Sequence, residues 1–331
     1  MTRYLELVCP AGNPAALRVA VDAGADSVYC GFRDCTNARN YPGLNFDRHE
    51  LRAGITYAHA RGCRVFVAVN TFPRAGKIES WHRAIDDAAA CGADAVIVAD
   101  LGLLDYAMRQ HPKLRRHLSV QAAAASALSI RFYMEKFDVS RVVLPRVLAV
   151  HEVSNLIGQT GVEAEVFGFG SLGTMVEGRC FLSSYMTGRS PSSDGVCAPA
   201  ECVSYREEAG GLLSCLGEVM INCFGSDEPA AYPTPCKGRF LVRGHPRYIF
   251  EEPTGLNVIP LLSALKASGV TALKIEGRQR GRNYVATVVT AFRGILDALA
   301  EGREPTGTPD VLRTVAEGQR ETFGAYAKGW R

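Results

Sequence analysis

The chain has 331 residues, 47% of them hydrophobic, and 37 Lys and Arg against 34 Asp and Glu give a net charge of +3. This length suits one large α/β domain or two smaller ones, and near-balanced charge argues against a strong polyelectrolyte footprint for nucleic acid. No run approaches the roughly 18 uninterrupted apolar residues of a membrane span, and MTRYLELVCPAGN is not a signal peptide. Eleven cysteines without a secretion signal predict reduced thiols and a cytoplasmic location.

In chain order, Leu5–Cys9 reads as a strand entering the loop Pro10-Ala11-Gly12-Asn13, and Pro14–Ala23 as a helix stopped by Gly24. Ser27–Cys30 is the second strand. The unit recurs: Asp86–Cys91, then Gly92-Ala93-Asp94, leads into the strand Ala95–Ala99. Further strands are predicted at Val65–Val69, Leu118–Val120, Arg141–Leu144, Ala164–Phe167 and Ala272–Ile275. Eight short, nearly continuous apolar strands separated by helix-length segments predict an α/β (β/α)₈ TIM-type barrel. Neither GxGxxG nor GxxxxGK[ST] is present, which disfavours a Rossmann dinucleotide site and a P-loop.

Roughly 100 residues separate the seventh strand, near Phe167, from the eighth, near Leu273. A βαβ unit needs only about 30. Residues 170–254 therefore read as a loop-rich, partly β insertion on a single barrel domain spanning 1–331, with β-like pieces at Cys202–Tyr205 and Tyr248–Phe250. Cys180, Cys197 and Cys236 lie in it, 17 and 39 residues apart, each beside Gly, Pro or a basic residue. Turn-forming neighbours let distant thiolates converge, and thiolates suit soft metals and iron–sulfur clusters. Three buried structural thiols are the plain alternative.

Chemistry in such barrels gathers at the C-terminal ends of the strands. Read off the sequence, those ends offer Cys9–Asn13, Cys30-Gly31-Phe32 with Asn37 and Arg39 following, Asn70-Thr71, Asp100, Gln121, Arg146, Phe169, and Lys274, Glu276 and Arg278. Asn37, Arg39, Gln121, Arg146, Glu276 and Arg278 are the candidate substrate-binding residues. Arg39, Arg146, Lys237, Arg239 and Arg278 together would form a cationic cup for a small dianion, since guanidinium forks grip carboxylates bidentately. Salt bridging with Glu177 and Glu276 is the simpler alternative. His59, His82, His111 and His117 lie in or near predicted helices and read as exposed or capping. No GxSxG elbow or HExxH spacing appears, and no catalytic residue is singled out.

One stretch carries a resemblance. GSL followed by EGRCFLSSYMTG, a Cys-x-Pro, and YPTPCKGR is similar to the collagenase-like peptidase family, closest to its ubiquinone-biosynthesis branch. The match runs from CPAGN to GAYAKGW. The resemblance implies a [4Fe–4S] cluster held by four cysteines, of which Cys180, Cys197 and Cys236 match. The fourth position, seven residues before Cys180, is Gly173 here. A replacement ligand would come from Cys202, Cys215 or Cys223, more remotely from Cys9 or Cys35; otherwise one iron keeps an open position, or the cluster is lost and the three thiols are remnants. It further implies dioxygen-independent hydroxylation of a quinone precursor, with prephenate as hydroxyl donor and a homologous UbiV-like subunit completing a heterodimer. The alternatives are an RNA-hydroxylating member acting on tRNA or rRNA, a peptidase, and a non-catalytic subunit. Net charge and the short C-terminal segment weigh against RNA, and no nucleophile–base pair or zinc motif supports a peptidase.

Overall fold

The structure is a computed structural model that describes residues 5–173, 175, 177–208, 211–250, 252–305, 307–316, 318 and 320–327. Residues 174, 176, 209–210 and 251 of the predicted insertion, and 328–330 of the GAYAKGW motif, lie outside the described residues.

The elements run β1 (Glu6–Pro10), α1 (Pro14–Asp22), β2 (Ser27–Gly31), α2 (Arg48–His59), β3 (Arg64–Val69), α3 (Glu79–Cys91), β4 (Ala95–Val98), α4 (Leu101–Gln110), β5 (Arg115–Leu118), α5 (Ala127–Phe137), β6 (Val139–Val143), α6 (Val150–Thr160) and β7 (Glu163–Ser171). There follow α7 (Leu182–Thr187), β8 (Val203–Glu208), β9 (Gly211–Leu216), β10 (Val219–Phe224), β11 (Arg239–Val242), β12 (His245–Tyr248) and β13 (Thr254–Asn257). The chain closes with α8 (Leu262–Ala267), β14 (Ala272–Ile275), α9 (Arg282–Ala300), α10 (Asp310–Val315) and β15 (Arg320–Thr322).

Strands β1 to β7 and β14 pair in parallel and close on themselves, β14 lying between β7 and β1. This is the (β/α)₈ barrel. Closure is fixed by Glu6 opposite Ala272 and Ala272 opposite Glu165. Strands such as β2 and β4 are buried at every position because one face points into the barrel and the other meets the helices. Val8, Tyr29, Phe66, Ala68, Ala95, Ile97 and Ala272 fill the interior, while Leu7, Cys9, Val28, Val65 and Val67 face the helical layer. Each such buried aliphatic side chain contributes about 1.5–3 kcal/mol.

Local chemistry sets the helix ends. Asn13 caps α1 by accepting from Ala16 N at 2.9 Å, and Asp47 and Glu50 form a capping box on α2. Gly92 and Gly161 end α3 and α6 in the left-handed conformation. Asp100 is spent capping α4 and does not face the barrel axis as a free carboxylate; it accepts from Leu103 N at 3.1 Å.

Three sequence-based expectations are corrected here. The fifth strand is Arg115–Leu118 and not Leu118–Val120, which begins a 3-10 turn at residues 120–122. Charged residues broke the apolar run that the prediction relied on, yet Arg116 and His117 are buried. The last β-like piece of the insertion is His245–Tyr248, shifted from Tyr248–Phe250 by its pairing with β11. Lys274 lies inside the barrel, not at the mouth. Its ammonium is 2.7 Å from Glu165 Oε1 and 3.7 Å from the Tyr29 ring centre. Arg141 joins the same interior network, reaching Glu6 at 2.6 Å, Glu163 at 3.0 Å and Glu165 at 3.3 Å.

His117 is neither exposed nor capping. It stands in β5, fully buried, edge-on to Phe66 at 4.7 Å, with both ring nitrogens unpartnered. Burial first, then the Arg141 charge, holds its pKa well below the ordinary 6.5. The unfolded chain therefore takes up this proton before the folded one. The stability from His117 is complete above about pH 6.5 and falls below it, by at most about 1.4 kcal/mol per pH unit. The thermal midpoint is expected to drop between pH 7 and pH 5, and His117→Leu to flatten that slope. A flat wild-type profile in this window would refute the assignment. The Glu6 and Glu163 carboxyls, held low against the effect of burial by their arginine partners, act only in more acidic solution.

Between Ser171 and Thr254 the chain leaves the barrel. β8, β9 and β10 make a three-stranded antiparallel sheet and β11 and β12 a hairpin. β13 returns antiparallel to the end of β7, and β15 pairs in parallel with β13. No described helix is long and apolar enough to cross a membrane.

Candidate functional site

The site grows from the loops that follow β2, β6 and β14. The β2 loop is closed by the bridge between Phe32 and Phe46. Asn37 is fully buried within it. Its Nδ2 donates to Phe32 O at 2.6 Å, and its Oδ1 accepts from Arg39 N at 3.0 Å and from Arg278 Nη1 at 3.1 Å. Asn37 thus clamps two arginines from opposite ends of the chain. Two glycines make this closeness possible. A Cβ at Gly31 would lie 2.7 Å from Asn37 Cγ, and one at Gly12 would lie 1.9 Å from Arg278 O. Side chains at either position would push the β14 loop away from the β1 and β2 loops.

Glu276, just past β14, is the hub. Its Oε1 accepts from Arg39 Nη2 at 2.9 Å and its Oε2 from Arg146 Nη2 at 2.7 Å. Arg146 Nη1 also donates to Glu177 at 3.1 Å, and its guanidinium stacks 3.5 Å from the Phe167 ring centre. Burial works to raise the Glu276 carboxyl, but Arg146, then Arg39 and Lys237, outweigh it and hold it below the usual range. Burial pulls Arg278 down to about 10, which leaves it charged at neutral pH. Its guanidinium lies 5.7 Å from the Tyr29 ring centre.

Asn37, Arg39, Arg146, Glu276 and Arg278 therefore form one connected group. Four cations, with Lys237 counted among them, face two carboxylates, Glu276 and Glu177, leaving a net +2. Gln121 is at the mouth but outside this hydrogen-bonded group; its carbonyl oxygen lies against Gly178, where a Cβ would come within 2.2 Å. Arg239 is not part of the cup. It binds Glu228 at 2.9 Å and Cys223 O at 2.6 Å within the insertion, because β11 pairs away from the barrel axis.

The insertion is laid over this mouth. Asn40 N donates to Gly195 O at 3.0 Å, Phe72 N to Ser192 O at 2.8 Å, and Arg74 pairs with Asp194. Gly195 is in the left-handed region, and a Cβ there would lie 2.0 Å from Asn37 O. Lys237 Nζ meets Ser171 Oγ at 2.5 Å.

This docking brings Cys197 to the cup. Its sulfur lies 2.7 Å from the Tyr41 hydroxyl, two residues beyond Arg39. Cys236 precedes Lys237 in a 3-10 turn packed against α7, the helix that begins two residues after Cys180. Cys180, Cys197 and Cys236 are each half-buried, not sealed in a core.

Of the possible replacement ligands, Cys202 packs into the insertion's apolar cluster with Ala198, Leu216 and Ile221, and the buried Cys215 takes a hydrogen bond from Arg206 at 3.1 Å. Cys9 is sealed in the barrel–helix core and Cys35 packs against it. Gly173 borders the cup: a Cβ built there has Arg146 Nη1 at 3.7 Å, an ordinary contact. Among the described residues no three His, Cys, Asp or Glu side chains surround a single metal-ion point. A four-iron cluster asks something else of its donors, one thiolate to each of several irons, and three partly accessible thiols on docked loops suit that chemistry.

One residue at this site escaped sequence reading: Tyr41 shows no signal beyond its place after Arg39.

Comparison with known proteins gives a consistent picture. The profile of peptidase family U32 matches residues 12–330. A "tRNA hydroxylation protein P" of Escherichia coli is 30% identical over 90% of this chain and 69% of its own length. An "uncharacterized protease" of Methanocaldococcus jannaschii is 30% identical over 91% and 67%. The "23S rRNA 5-hydroxycytidine C2501 synthase" of Escherichia coli is 28% identical over 98% of this chain but 46% of its own. The chain thus spans about two thirds or less of these relatives.

Proposed function

The chain belongs to peptidase family U32, and from that premise we propose that it is the iron–sulfur subunit of a dioxygen-independent hydroxylation system. Relatives named for hydroxylation of tRNA and rRNA support the reaction class. The observation that carries the reading is the cup: guanidiniums gathered at the barrel mouth, Arg278 buried, Arg146 nearly so and Arg39 partly exposed, net +2, next to Cys197. Such a site selects a small dianion such as prephenate, the hydroxyl donor on this reading. Cys180, Cys197 and Cys236 would hold a [4Fe–4S] cluster, which supplies one-electron redox chemistry when bound. Arg39, Arg146 and Arg278 bind and orient the donor's carboxylates, Asn37 fixes two of these arginines, and the docked insertion excludes bulk water.

The acceptor on this reading is the ring of a ubiquinone precursor in the cytoplasm, handled with a homologous UbiV-like subunit. A second reading places RNA there. It is favoured by the names of the relatives and by the hairpin β11–β12. Leu241, Tyr248, Ile249 and Phe250 are exposed on it beside Arg243, His245 and Arg247, with no acidic residue from 239 to 250. Exposed aromatics among cations suit stacked, single-stranded bases. The peptidase reading gains nothing from the histidines: His59 and His111 pair with Asp94 and Asp86, and His117 is buried.

The test is expression without dioxygen, with and without the related subunit, in a host lacking such hydroxylation. Quinone intermediates and RNA nucleosides are then measured by mass spectrometry. A hydroxylated quinone precursor supports the first acceptor and hydroxylated nucleosides the second. Neither product from iron-loaded protein overturns the proposal.

A further inference from the structure

The tail of the chain returns to the cup. β15 pairs with β13, and the turn at Gly324–Ala327 packs Gly324 against Leu172 and Leu256. Gly324 N donates to Thr322 Oγ1 at 3.1 Å, which fixes the turn before Tyr326. Tyr326 is then 4% exposed. Its phenol lies in the field of Arg146 and Glu177, beside the Phe167 main chain, and finds no acceptor. Arg146 Nε, also buried, has no partner either, although both of its terminal nitrogens are ion-paired. Buried donors are nearly always satisfied, so two orphans in one neighbourhood mark a place where an acceptor belongs.

We propose that Tyr326 is a further binding residue of the cup, its hydroxyl donating with Arg146 Nε to a carboxylate of the bound anion. This rests on the reading of the cup as a site for an anionic hydroxyl donor. The phenol is suited to the task, because burial raises its pKa and keeps it protonated, so it donates to an anion without adding charge. Arginine forks fix two oxygens of a carboxylate in a plane, and a neutral donor at the side adds a further charge-assisted hydrogen bond without adding charge. Tyr326 also lines an open cleft of about 550 Å³ with Ala149, His151, Ser154, Ala264 and Ser268. That cleft is not the cup, since none of Arg39, Arg146, Glu276 and Arg278 lines it.

The experiment titrates prephenate into the purified full chain without air, with benzoate as a monoanionic control. Wild type, Tyr326→Phe and Tyr326→Leu are compared at pH 7, each with its thermal midpoint. Loss of one hydrogen bond to a charged group is expected to weaken prephenate binding about 10- to 100-fold in Tyr326→Phe, with the thermal midpoint retained. Benzoate, which lacks a second carboxylate, is expected to bind wild type more weakly than prephenate does. Wild-type affinity in Tyr326→Phe overturns the proposal, as does a loss seen only in Tyr326→Leu, which would assign the ring to packing. Should the phenylalanine variant not fold, Tyr326→His, which keeps a donor, is expected to bind more tightly than Tyr326→Leu; equal affinities overturn the proposal. If wild type itself does not bind prephenate, the reading of the cup fails, and this inference with it.

Discussion

Serine at Cys180, Cys197 or Cys236 is expected to strip the protein of iron. Purified without air, wild type is expected to carry about four irons and four sulfides per chain, and each serine variant less than one iron. A serine hydroxyl does not ionise near neutral pH, and a soft cluster iron prefers thiolate. These three thiols are the donors the reading relies on: Cys202 and Cys215 pack within the insertion and Cys9 in the core, while the partly exposed Cys223 is the control, and Cys223→Ser is expected to keep its iron. The fold is expected to survive, since all three sulfurs are only half-buried and none belongs to the barrel–helix core. Far-UV circular dichroism measures the fold, while iron and acid-labile sulfide analyses measure the cluster. Retention of full iron in any one serine variant removes that cysteine from the site; an iron-free wild type ends the cluster assignment.

The companion variant is Gly173→Cys. The site has room for the side chain, with Arg146 Nη1 at 3.7 Å from the new Cβ, and its backbone is not left-handed. On the cluster reading, glycine here leaves one iron with an open position on the side of the cup. A fourth thiolate is expected to slow bleaching of the cluster in air and to block access by the anionic donor. If Gly173→Cys leaves air stability unchanged while Cys202→Ser destroys the cluster, Cys202 is the fourth ligand.

Replacing Glu276 by alanine is expected to cost about 3–5 kcal/mol of stability, the range for removing one partner of a buried ion pair. The residue holds Arg39 and Arg146 at 2.9 and 2.7 Å, and both guanidiniums would be left facing each other. Arg146 is 10% exposed and bears most of this penalty, softened by its remaining pair with Glu177 at 3.1 Å. Arg39 is 35% exposed, so water screens its share, and the lower end, about 3 kcal/mol, is the expected figure. Urea unfolding measures it as a lower midpoint at unchanged slope. Glu276→Gln keeps the shape and acceptance at one oxygen, so it is expected to lose less stability. By taking the cup from net +2 to +3 it is expected to bind a dianionic probe more tightly. A loss below about 1 kcal/mol in Glu276→Ala would mean that the two arginines do not depend on this carboxylate.

The barrel was legible in the residues because its information is local. Runs such as Val65–Val69 and Ala95–Ala99, each preceded by a helix-ending glycine, name a strand wherever they occur. The order of strands followed, and so did the mouth positions Asn37, Arg39, Arg146, Glu276 and Arg278, since βα-loops must follow the apolar runs. The gap between Phe167 and Leu273 announced the insertion by length alone. The tertiary structure decided which of these charges meet. Glu276 lies 237 residues from Arg39 and 130 from Arg146, and nothing in either neighbourhood records that closing β14 between β7 and β1 sets one carboxylate between two guanidiniums. The same closure put Lys274 inside the barrel and His117 against Phe66, while the pairing of β11 with β12 took Arg239 away from the cup. Tyr326 came into the field of Arg146 because β15 folds back onto β13. Periodicity fixes which face of an element is buried. Contacts between distant loops depend on the path of the whole chain, and on glycines such as Gly12, Gly31 and Gly195 that let backbones approach where any side chain would collide.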